Sequence, residues 1–424
     1  MNKEISQAYT ILHSVYVDGA YSSIELNTAL NNADCNKALL TKLVYGVIEK
    51  DVTLQYIIGK FVSKMPSVDI LVLLKLGTYM TRYLDSVPDY TIVNELVNIT
   101  KRKNTHLSGF VNATLKKICC SKVPLPRPDT KEYISVKYSI PMWLVNKVIA
   151  EHDMQFAVSL FSRKLTDMTH IRVRGSVDSF VSALDKLNIS YTPSCLPYTM
   201  YVDYAKLLNA TELKNRYVVQ GLPSILACVA LMQDRGHKHV LDVCSAPGGK
   251  SCFIAENYDC DVTSCDIHAH RLELVKKYAR SLELKNVEYV LADAMVTNAD
   301  FVNKYDCVLV DVPCSNLGLI QKKPDVLLNR KESDIANIAD IQYRILDTAS
   351  KYVKSGGCMV YSTCTILREE NIDVVNKFLA NHSDYAVEKI NTTMDGVVVE
   401  NDTYAFYPHL TNSEGFYIAR LRKI

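Results

Sequence analysis

Five short apolar runs in the second half of the chain alternate with helical stretches, and no other feature of the sequence limits its fold as strongly. They read HVLDVC (239–244), DVTSCDI (261–267), VEYVLA (287–292), YDCVLVDV (305–312) and CMVYST (358–363). Such runs between helix-period segments predict a doubly wound, mostly parallel sheet. Ligands of such sheets sit at the carboxyl ends of the strands. The first run leads straight into SAPGGKS. There Gly248 and Gly249 allow a tight turn and a close backbone approach to a ligand, and a helix is expected to start near Lys250. A Walker A loop would need Gly where Cys244 stands, and G-x-G-x-x-G is absent. Neither NTP nor NAD is therefore the natural ligand.

Acidic residues close successive runs. Asp266 ends the second, Asp293 follows the third, and Asp311 ends the fourth, just before Pro313 and Cys314. One such Asp alone is an ordinary turn former or helix cap. Together they outline a pocket for an adenosyl group without phosphates. Asp266 suits the ribose hydroxyls, and Asp293 an adenine amino group. A sulfonium tolerates carboxylate neighbours where a pyrophosphate does not. The expected cofactor is S-adenosylmethionine, with no metal.

Two of the 13 cysteines fall on the same rim, Cys314 in DVPC and Cys364 in YSTC. Carbon 5 of cytosine is a weak nucleophile. A thiolate adding to carbon 6 turns the ring into an enamine whose carbon 5 can attack a methyl donor; a base then removes the carbon-5 proton and the thiol leaves. A free thiol titrates near 8.5, so the site must favour thiolate or couple addition to protonation of the ring. Asp311, protonated or hydrogen-bonded at ring nitrogen 3, is the candidate for that proton. The chemistry alone does not choose which cysteine is the nucleophile. The other cysteines are scattered and never spaced C-x-x-C, which fits small buried hydrophobes better than zinc ligands or a disulfide framework.

The first half differs. Leu39, Leu40, Leu43, Val44 and Val47 recur at helical spacing, and Val68 to Leu84 is nearly all apolar. These predict an all-α bundle with a central buried helix. Three prolines at 124, 126 and 128 then make an extended spacer,. Residues 131–160 read as helical, HIRVRGS (170–176) and YTMYVDY (198–204) as strands. The expected division is a helical domain over 1–125, an α+β connector over 126–235 and the parallel-sheet domain over 236–424. Residues 1–128 hold 15 Lys+Arg against 10 Asp+Glu, and residues 236–424 hold 21 against 26. The basic half suits RNA phosphates, and Lys101, Arg102 and Lys103 are its densest run; a solvated helical face explains the same charges equally well. No apolar run reaches the roughly 18 residues of a membrane helix, and the start has no apolar signal core. A soluble cytoplasmic protein is expected.

In combination these residues resemble a known family, the bacterial RNA cytosine-C5 methyltransferases of the Sun/Fmu group, and within it the 16S rRNA enzymes with a NusB-like N-terminal domain. The resemblance rests on LDVCSAPGGK (241–250), CDI (265–267), DVPCSNLG (311–318), KKPD (322–325), YSTC (361–364), REEN (368–371) and YPHLTNSEGFYIA (407–419), with LVYGVIEKD (43–51) and GFVNATLKK (109–117) in the first half. It implies a multidomain protein: an all-α NusB-like bundle, a small α+β connector and an α/β Rossmann-type methyltransferase domain. It implies that Cys244, Ser245, Ala246, Pro247, Gly248, Gly249 and Lys250 cradle the cofactor, with Asp266, Asp293 and Asp311 as further contacts. Cys364 would be the nucleophile and Cys314 would assist product release. Lys322, Lys323 and Asp325 would lie near the substrate base, and His409 and Gly415 would shape the far side of the pocket. The expected partner is RNA, either 16S rRNA or a small-subunit assembly intermediate, met by a monomer with no membrane. A tRNA cytosine-C5 methyltransferase and a non-catalytic RNA-binding assembly factor are the competing readings. The chain departs from the family at Gly221 and Ile225 in VVQGLPSI (218–225), where polar residues are usual, and at Lys323.

Overall fold

The computed structural model describes residues 2–32, 35–84, 87–164, 166–234, 236–391 and 394–424. Packing divides them into two compact units, one of residues 1–162 with 320–332 and one of 163–319 with 333–424.

The first unit is all helical. Its centre is the helix Val68–Tyr83, in which every residue from Val72 to Met80 is buried. Helices Asn2–Val17, Lys37–Glu49, Asp89–Lys103 and Ser108–Cys120 surround it. Gly77 permits the closest approach, since a Cβ there would stand 2.6 Å from Leu115 and 2.7 Å from Leu96. The one charge within its buried stretch, Lys75, is paired with Asp51, which also accepts from Tyr16. The bundle helices do end before the expected boundary at 125. Yet helices Lys131–Tyr138, Met142–Glu151 and Met154–Ser162 pack with the bundle rather than with the connector. Hydrogen bonds explain this: Thr53 Oγ1 donates to the Val136 carbonyl at 2.6 Å, and Ser139 Oγ accepts from Val52 N–H at 3.0 Å.

In the second unit, the remaining connector is a small antiparallel sheet. Its strands are β1 (Thr169–Val173), β2 (Tyr191–Pro193), β3 (Thr199–Val202) and β4 (Tyr217–Val219), in the order β2-β3-β1-β4. The larger sheet holds β5 (His239–Asp242), β6 (Asp261–Asp266), β7 (Val287–Leu291), β8 (Tyr305–Asp311), β9 (Val353–Thr363), β10 (Tyr385–Val387), β11 (Val398–Glu400), β12 (Thr403–Phe406) and β13 (Phe416–Lys423). All five expected runs are strands of it, and β7-β6-β5-β8-β9 pair in parallel. Beyond β9 the sheet turns antiparallel through β13 to β12 and β11, with β10 also on β13. The strand order reverses between β5 and β8, which places a topological switch point there. Among the described residues no helix is long and apolar enough to cross a membrane.

A buried ion pair joins the two sheets of this unit. Arg172 on β1, 2% exposed, pairs with Glu256 on the helix Gly249–Asn257, and Arg174 pairs with the same carboxylate. Arg172 Nε also donates to Gln220 Oε1 at 3.1 Å, and Gln220 Nε2 donates to the Gly249 carbonyl at 3.1 Å. The small sheet thus holds the start of the helix that follows the glycine turn. Removing one partner of a buried pair strands the other charge. Glu256→Ala is expected to lower unfolding free energy by about 3–5 kcal/mol, measured by urea denaturation; a loss below about 1 kcal/mol would mean the pair is no more than a surface bridge.

Candidate active site

The glycine turn after β5 is built from its own backbone. Ser245 N–H and Ser245 Oγ both donate to the Cys265 carbonyl, at 2.8 and 2.9 Å, and Gly248 N–H donates to the Ser245 carbonyl at 2.7 Å. Arg271 reaches the Ala246 carbonyl at 3.1 Å, across a cis Ala246–Pro247 bond. Gly248 sits at φ +107, where a Cβ would be strained and would stand 3.1 Å from Val275. Asp242, 1% exposed, accepts from Ser251 Oγ at 2.6 Å. Burial pushes its pKa up to about 7. Burial, with Asp242, Asp311 and Asp266 around it, also holds the Cys244 thiol well above the ordinary range, so it is not a reactive thiol.

At the next strand ends, Asp266 Oδ1 accepts from His268 N–H and Asp293 Oδ1 from Met295 N–H, each at 2.9 Å. Both residues therefore form turns with one oxygen. The other oxygen of Asp266 faces Arg271, whose Nη1 lies 3.7 Å from Oδ2. A glycine turn at a helix start flanked by carboxylates, in which Arg271 and Lys250 are engaged with Asp266 and Asp311 respectively, fits an adenosyl sulfonium.

Lys250 Nζ lies 2.6 Å from Asp311 Oδ2, and Ser362 Oγ donates to Asp311 Oδ1 at 2.7 Å. Burial works against the Lys250 charge, but Asp311 wins and raises its pKa. The Asp311 carboxylate thus accepts on both oxygens, from Lys250 and from Ser362.

The two rim cysteines meet. Cys314 Sγ and Cys364 Sγ are 2.9 Å apart, Cys364 N–H donates to Cys314 Sγ at 3.3 Å, and Cys364 Sγ is 2.9 Å from Asn316 Oδ1. The hydrogen bond to Cys364 and then burial hold the Cys314 proton well above the ordinary thiol range. Cys364, Lys250, Asp311, Val312, Gly221, Glu414 and Phe416 line one cavity of about 240 Å³. Gly318 N–H donates to the Cys364 carbonyl at 3.0 Å, and Gly415 N–H to the Gly318 carbonyl at 2.9 Å. No side chain fits at Gly318, where a Cβ would fall 2.0 Å from the Gly415 oxygen. At Gly221 a Cβ would stand 2.8 Å from Glu414 Oε1, so a side chain there would require the Glu414 carboxylate to move.

The expected RNA contacts lie in the helical unit. Lys101, Arg102 and Lys103 are exposed in the last turn of the helix Asp89–Lys103, where cations also complement the helix dipole. Lys322 and Lys323 are exposed, whereas Asp325 is buried and accepts from Ser22 N–H at 3.2 Å. Asp325 therefore already has a structural bond there. His409 lies in the short helix Pro408–Thr411 of the second unit. Among the described residues, His237, Cys307 and Cys358 bring possible metal ligands within 4.8 Å of one another. Both thiols there donate to the Leu231 carbonyl, at 3.7 and 3.6 Å, as a satisfied core pair would. Sequence reasoning assigns no role to Gln220, Asn316, Glu370 or Glu414. All four stand inside motif segments, but only the folded turns reveal what they touch.

Residues 229–422 match the family 16S rRNA methyltransferase RsmB/F, and residues 4–119 match the NusB family. The chain is 32% identical over 432 residues to the probable ribosomal RNA small subunit methyltransferase B of Bacillus subtilis, covering 95% of each. It is 30% identical to the ribosomal RNA small subunit methyltransferase B of Shewanella oneidensis, covering 92% of this chain and 91% of that one. The fold is that of the crystal structure of PH0851, with a TM-score of 0.84 at 22% identity over 99% of both chains. The structure of NSun6 from Pyrococcus horikoshii with SFG covers 70% of this chain and 98% of its own, with a TM-score of 0.54 at 23% identity.

Asp242 gives this site a testable signature. Its folded pKa of about 7 exceeds the unfolded value of about 3.9. The folded state thus binds the extra proton, and the stability this contributes is present below about pH 4 and lost as pH rises to about 7. Asp242→Asn should remove that loss. In urea unfolding at pH 5 and pH 8, the variant should gain on the wild type at pH 8; an equal difference at both would remove Asp242 as the titrating group.

Proposed function

The chain belongs to the RsmB/F family of 16S rRNA methyltransferases, and we propose that it methylates carbon 5 of a cytosine in small-subunit ribosomal RNA through a covalent bond from Cys364. The observation that carries this reading is the meeting of two thiols, one of which, Cys364, lines a cavity shared with the ion-paired Lys250. A scaffold protein needs none of the three.

The residues divide the work. Cys364 lines the cavity; its thiol gives its proton to water and the thiolate sulfur adds to ring carbon 6 as the carbon 5–carbon 6 double bond opens. Lys250, charged and held by Asp311, donates towards ring nitrogen 3 as electrons move onto it, which replaces protonated Asp311 in that role. Bound S-adenosylmethionine supplies the methyl group as an electrophilic carbon on a sulfonium. After transfer, a base takes the carbon-5 proton, the carbon 5–carbon 6 double bond re-forms, and the bond from carbon 6 to sulfur breaks. Cys314 keeps its proton at neutral pH and donates it towards the departing Cys364 sulfur. The target base must leave its stack to reach the cavity. Lys101, Arg102, Lys103, Lys322 and Lys323 are the proposed phosphate contacts, which position RNA without reading its sequence. The NusB-family match and the names of the relatives support ribosomal RNA over tRNA.

Cys364→Ala is expected to lower methyl transfer by on the order of 10⁴-fold or more, as loss of a nucleophile does. Cys314→Ala should accumulate a covalent RNA adduct on denaturing gels, and Cys364→Ala should form none. No adduct with either variant would favour the scaffold reading. Bisulfite sequencing of RNA from cells with and without the gene would separate a ribosomal from a transfer RNA target.

A further inference from the structure

Glu370 is fully buried, yet its partners are neutral. Ser315 N–H donates to Oε2 at 2.8 Å and Ser315 Oγ to Oε1 at 2.5 Å; Thr365 Oγ1 donates to Oε1 at 2.9 Å and Gln342 Nε2 to Oε2 at 3.1 Å. Ser315 directly follows Cys314, and Thr365 directly follows Cys364. One carboxylate therefore grips the residue after each cysteine. Gln342 also donates to the Pro313 carbonyl at 3.0 Å, so the turn after β8 is held from both sides of Cys314. Next to Glu370, Asn371 accepts from Thr363 Oγ1 at 2.5 Å and donates to the Thr365 carbonyl at 3.1 Å, which brackets Cys364 in the same way.

A buried charge is costly unless fully hydrogen-bonded. An apolar residue would fill this space without that cost, but it could not tie two turns together. A carboxylate accepts about four hydrogen bonds and donates none, and here four donors use that capacity. Its charge also acts on the thiols, since a negative group beside Cys314 disfavours a thiolate there. Cys314 therefore remains the proton-bearing partner of the pair.

We propose that Glu370 is a positioning residue that sets the separation and relative orientation of Cys314 and Cys364. The proposal deepens the two-cysteine reading above and rests on it for its catalytic consequence. Its geometric part does not. That part is tested on the free enzyme with diamide, to which the two thiols give up their hydrogens as one S–S bond forms. In Glu370→Gln an amide replaces the carboxylate, and its N–H₂ group meets either the Ser315 N–H and Gln342 donors or the Ser315 and Thr365 hydroxyls, so two of the four bonds are lost or must reverse direction,. The rate of Cys314–Cys364 disulfide formation, followed by mass spectrometry, should fall roughly tenfold or more as the effective concentration of one thiol at the other drops. Alkylation of Cys364 by iodoacetamide should stay within about twofold, since that needs no partner thiol.

Methyl transfer should change in parallel: kcat should fall on the order of 10²-fold, the usual result of a misplacement of about 1 Å, with S-adenosylmethionine binding unchanged by calorimetry. Ser315→Ala removes a single donor, should fold where Glu370→Gln does not, and should shift both rates in the same direction by less. A folded Glu370→Gln with wild-type disulfide formation overturns the proposal, even if kcat falls. Slowed disulfide formation with wild-type kcat upholds the clamp and overturns the two-cysteine reading instead.

Discussion

The register between β8 and β9 is the constraint on which the site depends. The strands run parallel, with Asp311 opposite Ser362 and Val310 opposite Tyr361. The chain then leaves each strand at the same edge, and the cysteines, three residues past Asp311 and two past Ser362, arrive beside each other. A slip of one residue would reverse every side chain on the strand. It would take Ser362 from Asp311 and move Cys364 away from Cys314. Register is fixed by the buried faces: Val308, Leu309, Val310, Met359, Val360 and Tyr361 are all fully buried. The meeting of Cys314 and Cys364 is thus inherited from apolar packing several residues away.

Charge at the strand ends is arranged so that neighbouring groups do not compete for the same state. Asp242 is buried beneath the glycine turn and its carboxyl is raised towards neutrality. Asp311, partly open to the cavity, is compensated by Lys250. Glu370 relies instead on four hydrogen bonds from neutral donors. The three acids differ in environment more than in chemistry. Asp242 and Glu370 are equally buried, so it is the donors within reach, one hydroxyl and one N–H for Asp242 against four donors for Glu370, that separate them,.

Much of this is legible in the sequence. The five apolar runs, the glycine turn and the two rim cysteines need only short-range pattern, because strand period, turn chemistry and strand-end position are local properties. The antiparallel extension through β13 gives no clear strand signal, since its segments are short or belong to a motif known only by resemblance. Helices within 131–162 read as part of the connector because proline marks a break in the chain but does not say which side the next helices pack against. The pairing of Asp311 with Lys250 is not legible, since the two are 61 residues apart in the chain and 2.6 Å apart in space. Glu370 and Asn316 stand within motifs yet carry no legible role, since a hydrogen bond across two turns leaves no periodic trace.

The departures from family pattern gain a physical reading at Gly221. A side chain there would collide with Glu414, which lines the cavity together with Cys364 and Asp311. Losing a polar side chain at that position makes room for a carboxylate from a distant strand end, so the polarity of the wall is moved rather than lost. The same exchange of side chain for space recurs where Gly318 and Gly415 touch backbone to backbone behind Cys364. Such contacts cannot yield, because backbone, unlike a flexible side chain, has no rotamer to change. The turn that carries Cys364 is therefore fixed by three supports of different kinds: a strand register, a buried carboxylate and a glycine–glycine contact. Each constrains a different direction, as placing one sulfur atom to a fraction of an ångström requires.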